Sequence, residues 1–207
     1  QAEIARLAEQ KARQMAEKKE RTKVMNELRG RLDTAQKNHA GAAKAVGSAF
    51  KSFDANPDES VVQIAEVSAR STAALLSDPD SAIVLIAEKA QADGSAAHSL
   101  SVMTLALLLG KQARLPQDAL RALGIAALLH DIGKSAINSS ILRNTSRNKH
   151  EEAIYQTHCR VGYESALRAK SLTPPMLDAI LHHHERIDGK GFPDGLSGKQ
   201  IHVASRV

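Results

Sequence analysis

The chain has 207 residues, 43% of them hydrophobic and 25% charged, enough for one core-bearing domain with an appendage. Aromatic residues make up 2% and tryptophan is absent, which removes most of the stacking platforms that hold single-stranded nucleic acid. The net charge of +5 suits a small anionic ligand, and no nucleic-acid partner is expected, because Glu3, Glu9, Glu17 and Glu20 interleave with the basic residues of the N-terminal segment.

Cys159 is the only cysteine, so no disulfide can form within the chain, which fits a reducing, cytoplasmic setting. No run approaches the roughly 20 apolar residues of a membrane span, and the polar start has no apolar signal segment. The chain opens on Gln1 and closes on Val207 without a stop pattern, and is expected to belong to a longer protein with an upstream regulatory domain.

Residues 1–46 read as a long helix, because Ala, Glu, Lys, Arg, Gln and Leu dominate and all favour that state. Ile4, Leu7, Met15, Met25, Leu28 and Leu32 give it a thin apolar stripe. Lys18, Lys19 and Glu20 break the stripe, so a strict coiled-coil seam is not sustained. Two readings stand: a solvated connecting helix, or one that relays a signal or pairs with a second copy as a homodimer. Gly41 and Gly47 loosen the chain, and Asp54-Ala-Asn-Pro57-Asp58 breaks it. The expected division is a charged linker helix and connector over 1–57, then a compact domain over 58–207.

A helix follows over 58–76, with Val61, Val62, Ile64, Ala65 and Val67 on its buried side. Ser77-Asp78-Pro79-Asp80 turns into another over 81–92, ended by Asp93-Gly94. A third covers 98–111, with Val102, Leu105, Leu107, Leu108 and Leu109 as its apolar body. Pro116 sits in the first turn of the next, over 117–130, which is apolar on most of its surface and so must be central. Gly133 is expected to end it by freeing the backbone for a turn. Residues 139–149 read as a polar loop, and 151–170 resume helical spacing. Pro174-Pro175 opens a last helix over 176–184, and 186–198 are too rich in glycine for a helix. Sustained alternation is absent, so the fold class is all-α.

Two stretches carry candidate chemistry. Leu128-Leu129-His130-Asp131-Ile132-Gly133-Lys134 is an apolar helical run that ends in an adjacent imidazole and carboxylate. A carboxylate near the negative pole of a helix calls for a cation, which a metal can supply, with Lys134 as a second. The other stretch is His182-His183-His184, followed by a glycine-rich charged loop. Helix neighbours are about 100° apart, so three rings cannot face one way, although two can converge where a helix end frays. A lone helical histidine is more often structural, so His39, His150 and His202 receive no role, and a histidine run on a basic protein often lies on the surface. Brought together, however, the two stretches would concentrate nitrogen and oxygen ligands, the set a divalent transition metal prefers. Neutral imidazoles on such an ion also escape the mutual repulsion of imidazoliums.

His130-Asp131-x-Gly133-Lys134, followed by His183-His184-Glu185-Arg186-x-Asp188-Gly189-x-Gly191-Phe192-Pro193, resembles the HD-GYP branch of the HD phosphohydrolases, over about residues 58–207. The resemblance implies a helical bundle and hydrolysis of cyclic di-GMP to linear pGpG, in some members on to GMP. It implies a binuclear divalent metal centre, with iron or manganese suited to the ligands. One ion would be held by His98, His130 and Asp131, the other by Asp131, His158, His183 and His184, the aspartate bridging. His98 stands in a His-Ser-x-x-Val context, His158 is followed by Gly162, and His182 lies outside the matching pair. Two cations a few Å apart can hold and deprotonate a bridging water and bind a phosphodiester oxygen.

Lys134 is placed to contact substrate phosphate, or alternatively only to pair with Asp131. Glu185 is expected to hydrogen-bond a ligand ring. Arg186 and Asp188 either touch substrate or brace the loop by pairing. Phe192 stands where the family has tyrosine, so ring packing survives and any hydroxyl contact to substrate does not. Arg143-Asn-Thr-Ser-Arg-Asn148 replaces a Lys-Pro-Gly turn common in the family, and the residues before His98 do not support a third metal site. The family also has a metal-binding aspartate shortly after the segment that Ile201–Val207 matches. Two rivals stay open: a catalytically impaired domain that senses cyclic di-GMP or binds a partner protein, and a hydrolase of a different cyclic dinucleotide or a mononucleotide.

Overall fold

Alanine-rich, charge-interleaved sequence forms the first and longest element of the computed structural model, which describes residues 2–78, 80 and 94–206. This helix, α1, runs Ala2–Ser52 and passes straight through Gly41 and Gly47. Neither glycine loosens it, because good helix formers surround both and Gly47 lies close only to Ala96. The chain breaks instead at residues 53–56, ahead of Pro57. Most of α1 is exposed, including Ile4, Leu7, Met15, Met25 and Leu28, but Val46, Ala49 and then Phe53 are buried in the core.

Pro57 at the first position and Asp58 and Glu59 in the first turn open α2, Pro57–Ser77. Its buried face is Val61, Ile64, Val67, Ser68 and Leu75, while Val62, expected inside, is exposed because it points a third of a turn away. The expected helix over 81–92, with Pro79 and Asp93 beside it, lies outside the described residues.

Helix α3, Ser95–Gln112, buries Leu100, Met103, Ala106, Leu107 and Gly110, a three-and-four spacing that leaves Leu105 and Leu109 exposed. Helix α4, Gln117–Leu129, is buried continuously from Leu123 to Leu129. It packs against α2, α3 and the later α8, Pro174–His182, which makes it the central rod of the bundle. A 3-10 turn, Ile132–Ala136, follows at once.

The stretch 139–149 is not all loop: Asn138 accepts from Ser140 N and starts the single turn α5, Ser139–Arg143. A capping box between Asn148 and Glu151 opens α6, Lys149–Gln156. The helical spacing over 151–170 is split at Thr157, whose hydroxyl and N–H both turn back to Ile154 O. Helix α7, His158–Ala166, therefore starts on His158 itself. A second 3-10 turn, Gly198–Gln200, and the short α9, Val203–Arg206, complete the described chain. Among the described residues the only β pairing is an isolated bridge between Asp188 and Ser197, so the all-α reading holds. No described helix is long and apolar enough to cross a membrane.

Candidate metal centre

The ends of four helices meet at one carboxylate. Asp131 follows α4 directly and is 3% exposed. His98 reaches it from the first turns of α3, His130 from the cap of α4, His158 from the first position of α7, and His183 and His184 from the turn just past α8. Ending α8 at His182 is what allows two consecutive rings to converge, because both lie past the regular helix.

The two oxygens of Asp131 face different partners. Oδ2 lies 3.1 Å from His130 Nε2 and 3.5 Å from His98 Nε2. Oδ1 lies 3.5 Å from His158 Nε2 and 3.6 Å from His183 Nε2. Two groups result, His98–His130–Asp131 and Asp131–His158–His183–His184, and within each the ligand atoms lie within 4.8 Å of one another. All six residues that the sequence marked as ligand candidates are thus in one place.

Hydrogen bonding orients the rings. Nδ1 of His130 donates to Ala127 O at 2.7 Å, Nδ1 of His158 to Tyr155 O at 2.6 Å, and Nδ1 of His183 to Ile180 O at 2.8 Å. A carbonyl oxygen can only accept, so each Nδ1 carries the proton, and Nε2 is the atom left to face a metal. The Nε2 atoms of His158 and His183 then face one another at 3.2 Å, with no proton between them to share. Asp131 Oδ1 and His184 Nε2 are buried there without a hydrogen-bond partner among the described residues. Lone pairs crowded together in this way are costly, and a divalent ion satisfies all of them at once. The donor set fits a bound transition metal.

Electrostatics agree. Burial holds the His158 ring down to about 4 against an ordinary 6.5, and that of His184 to about 3, the latter helped by the imidazoles of His183 and His158. Burial likewise lowers His98 and His183. Burial alone would raise the Asp131 carboxyl, but the adjoining His130 and His183 side chains and the charge of Lys134 outweigh it and hold the group far below the usual carboxylate range. Rings and carboxylate are therefore ready to bind metal at neutral pH.

The depressed histidines set a pH dependence for the metal-free fold. Once unfolded, both rings regain ordinary affinity for protons, so the unfolded chain takes them up as pH falls below 6.5. The stability tied to these rings is complete above that pH and is lost as pH falls towards about 4 for His158 and about 3 for His184. Urea midpoints of chelator-treated protein are expected to fall between about pH 7 and about pH 5. An unchanged midpoint would mean that the rings titrate alike in both states.

Around the centre, several residues take roles that the sequence left open or read differently. Lys134 Nζ donates to Asp131 Oδ2 at 2.6 Å. Arg186 is paired with Asp188 at 2.9 Å. Glu185 binds no histidine; its buried carboxylate accepts from Asp194 N at 2.7 Å and Leu196 N at 2.9 Å, because the loop folds its backbone donors over it. Phe192, joined to Pro193 by a cis peptide, stacks on the His184 ring at 4.6 Å. Tyr155, not singled out by any sequence motif, lies beside His158 with Arg147 over its ring at 4.0 Å and Lys134 Nζ at 5.4 Å. His182 turns away from the centre and is buried between two carboxylates, an arrangement only partly foreshadowed by Asp178 four residues earlier.

The family model for the HD domain matches residues 72–207. A cyclic di-GMP phosphodiesterase of Pseudomonas aeruginosa is 34% identical over 137 residues, 66% of this chain and 33% of that protein. The cyclic di-GMP phosphodiesterase response regulator RpfG of Xanthomonas campestris pv. campestris is 37% identical over 119 residues, 56% of this chain and 31% of that protein. A 3'3'-cGAMP-specific phosphodiesterase of Vibrio cholerae is 38% identical over 84 residues, 40% of this chain and 16% of that protein. This chain therefore spans about a third or less of the length of these relatives. Among solved structures, Bd1817, an HDG"Y"P protein from Bdellovibrio bacteriovorus, superposes with a TM-score of 0.71 at 18% identity, over 84% of this chain and 57% of that one, and shares its fold.

Proposed function

Because this chain belongs to the HD domain family, in its HD-GYP form, we propose that it hydrolyses cyclic di-GMP to linear pGpG, with GMP as a further product, at a binuclear centre of iron or manganese. The observation that carries the proposal is the division of labour at Asp131, one buried oxygen towards each histidine group. Divalent ions held there would supply the Lewis acidity that makes a water nucleophilic and polarises a phosphodiester oxygen.

The chain's own residues do the rest. The carbonyl braces on His130, His158 and His183 keep their lone pairs aimed inward, so no reorganisation is needed when ligand arrives. Lys134 places an ammonium group beside the centre, partly open to solvent, where it can meet a phosphate oxygen. Phe192 walls one side with an apolar ring, and Arg186, six residues earlier in the chain, is a second candidate for substrate contact. Lys134→Ala is expected to lower turnover about 100-fold with metal content unchanged, measured by steady-state kinetics and elemental analysis. Unaltered turnover would reduce Lys134 to a partner of Asp131.

The proposed division, a linker over 1–57 and a catalytic domain over 58–207, puts at its border the last turns of α1, whose Val46 and Ala49 already lie in the core. The exposed stripe on the rest of α1 supports a connection to an upstream regulatory domain, or a homodimer through this helix, in a cytoplasmic protein.

A second substrate, 3'3'-cGAMP, stands beside the first because relatives of that specificity match the same chain. The deciding experiment incubates the full-length protein, purified anaerobically and loaded with iron or manganese, with each dinucleotide and separates the products. Linear pGpG from cyclic di-GMP is expected. Cleavage of 3'3'-cGAMP alone would move the assignment to that ligand, and tight binding without product would make the domain a sensor.

A further inference from the structure

His182 lies at the end of α8, one residue before the ligand histidines, and is 9% exposed. Its Nδ1 faces Asp178 Oδ1 at 2.9 Å and its Nε2 faces Asp194 Oδ2 at 3.0 Å. Each ring nitrogen lies within hydrogen-bond distance of a carboxylate oxygen, so the ring ties two chain segments together. Asp178 is held in turn by the Ser205 hydroxyl at 2.8 Å, and Asp194 by Arg160 of α7. Asp194 stands two residues after Phe192, and its N–H is already fixed on Glu185.

The histidines of the centre differ in how they are braced. His130, His158 and His183 each have an Nδ1 bond to a carbonyl. Among the described residues no such bond holds His184; its ring is stacked on Phe192, 4.6 Å away, beside the rings of His183 and His158, and its Nε2 is buried without a partner among them. Whatever fixes Phe192, its stacking partner, therefore helps to hold His184. We propose that His182 is a positioning residue: through Asp194 it anchors the loop that presses Phe192 onto His184, and so keeps that imidazole in the group it shares with Asp131. The inference rests on the metal-binding reading above. It assigns to stacking and a buried carboxylate–imidazole–carboxylate bridge the orienting work that hydrogen bonds do elsewhere in the site.

The test is Mn2+ affinity, by chelator competition on the full-length protein, with circular dichroism to follow the fold. His182→Leu and Asp194→Ala are each expected to weaken Mn2+ binding about 10- to 100-fold with the helical spectrum retained. Asp194→Asn keeps an oxygen that can accept from His182 Nε2 and loses only the exposed pairing with Arg160, so its affinity is expected to stay near wild type. Should His182→Leu fail to fold, Asp194→Ala, at a partly exposed position, carries the test alone. Wild-type affinity in Asp194→Ala, or a lower melting temperature without loss of affinity, would overturn the positioning role. A wild-type protein that binds Mn2+ but cleaves no cyclic dinucleotide would overturn the phosphodiesterase reading while leaving the bridge its role, and one that binds no divalent ion would overturn both.

Discussion

Asp131→Asn is expected to empty the centre of metal and to lower turnover about 1,000-fold or more, with the helical fold intact. The amide has the shape of the carboxylate but offers one oxygen in place of two, and no charge. In the native protein each oxygen serves a different histidine group, at 3.1 and 3.5 Å on one side and 3.5 and 3.6 Å on the other. Whichever way the amide turns, one group receives an N–H donor where a lone pair is needed. The anion that would offset two neighbouring cations is also lost. The burial of Asp131 sharpens the effect, because water cannot take the place of the missing oxygen. Elemental analysis and single-turnover kinetics check the result; a variant with wild-type metal content would exclude a bridging carboxylate.

Gly133→Ala is expected to destabilise the protein by about 3 kcal/mol or more, the upper end for overpacking. A Cβ at Gly133 would lie 2.5 Å from Gly162 N and 2.9 Å from Gly162 Cα, and closer still to His158 O. These are backbone atoms at the start of α7, so no rotamer change can relieve the clash. The 3-10 turn after α4 and the first turn of α7 must part, which carries His158 away from Asp131, now 3.5 Å off. Stability and metal affinity should therefore fall together, read by urea unfolding with and without Mn2+. At Gly162 the nearest atom to a Cβ is 3.1 Å away, so Gly162→Ala should be the milder change. A normal urea midpoint in Gly133→Ala would mean that the two turns do not touch.

The sequence pointed to Gly133 for the wrong reason. A glycine after a buried helix suggests a left-handed turn, yet its φ is not positive here, and its value lies in the missing side chain. Close approach between segments far apart in the chain leaves no local trace, and the same limit hid His182. Its i, i+4 partner Asp178 could be seen, but Asp194 reaches it only because the loop folds back over Glu185. Glu185 was misread on the same account.

Other features were legible because their causes are local. The continuous apolar run of α4 announced a central helix, and Pro116 and Pro174 marked helix starts. The capping box of Asn148 and Glu151 was equally local and could have found α6. His130 and Asp131 stood out through the electrostatics of a helix end, and His183 and His184 through repetition. Nothing in periodicity singled out His98 or His158; the resemblance alone marked them, and the fold puts both within 3.5 Å of Asp131. Phe192 keeps the ring packing expected of that position, stacked on His184.

Anomalous diffraction from crystals of the protein, grown anaerobically with manganese or iron, addresses the shared carboxylate most directly. Two peaks are predicted on either side of Asp131, one beside His98 and His130, the other among His158, His183 and His184. Peaks elsewhere, or none within bonding distance of Asp131 in metal-saturated crystals, would contradict the account.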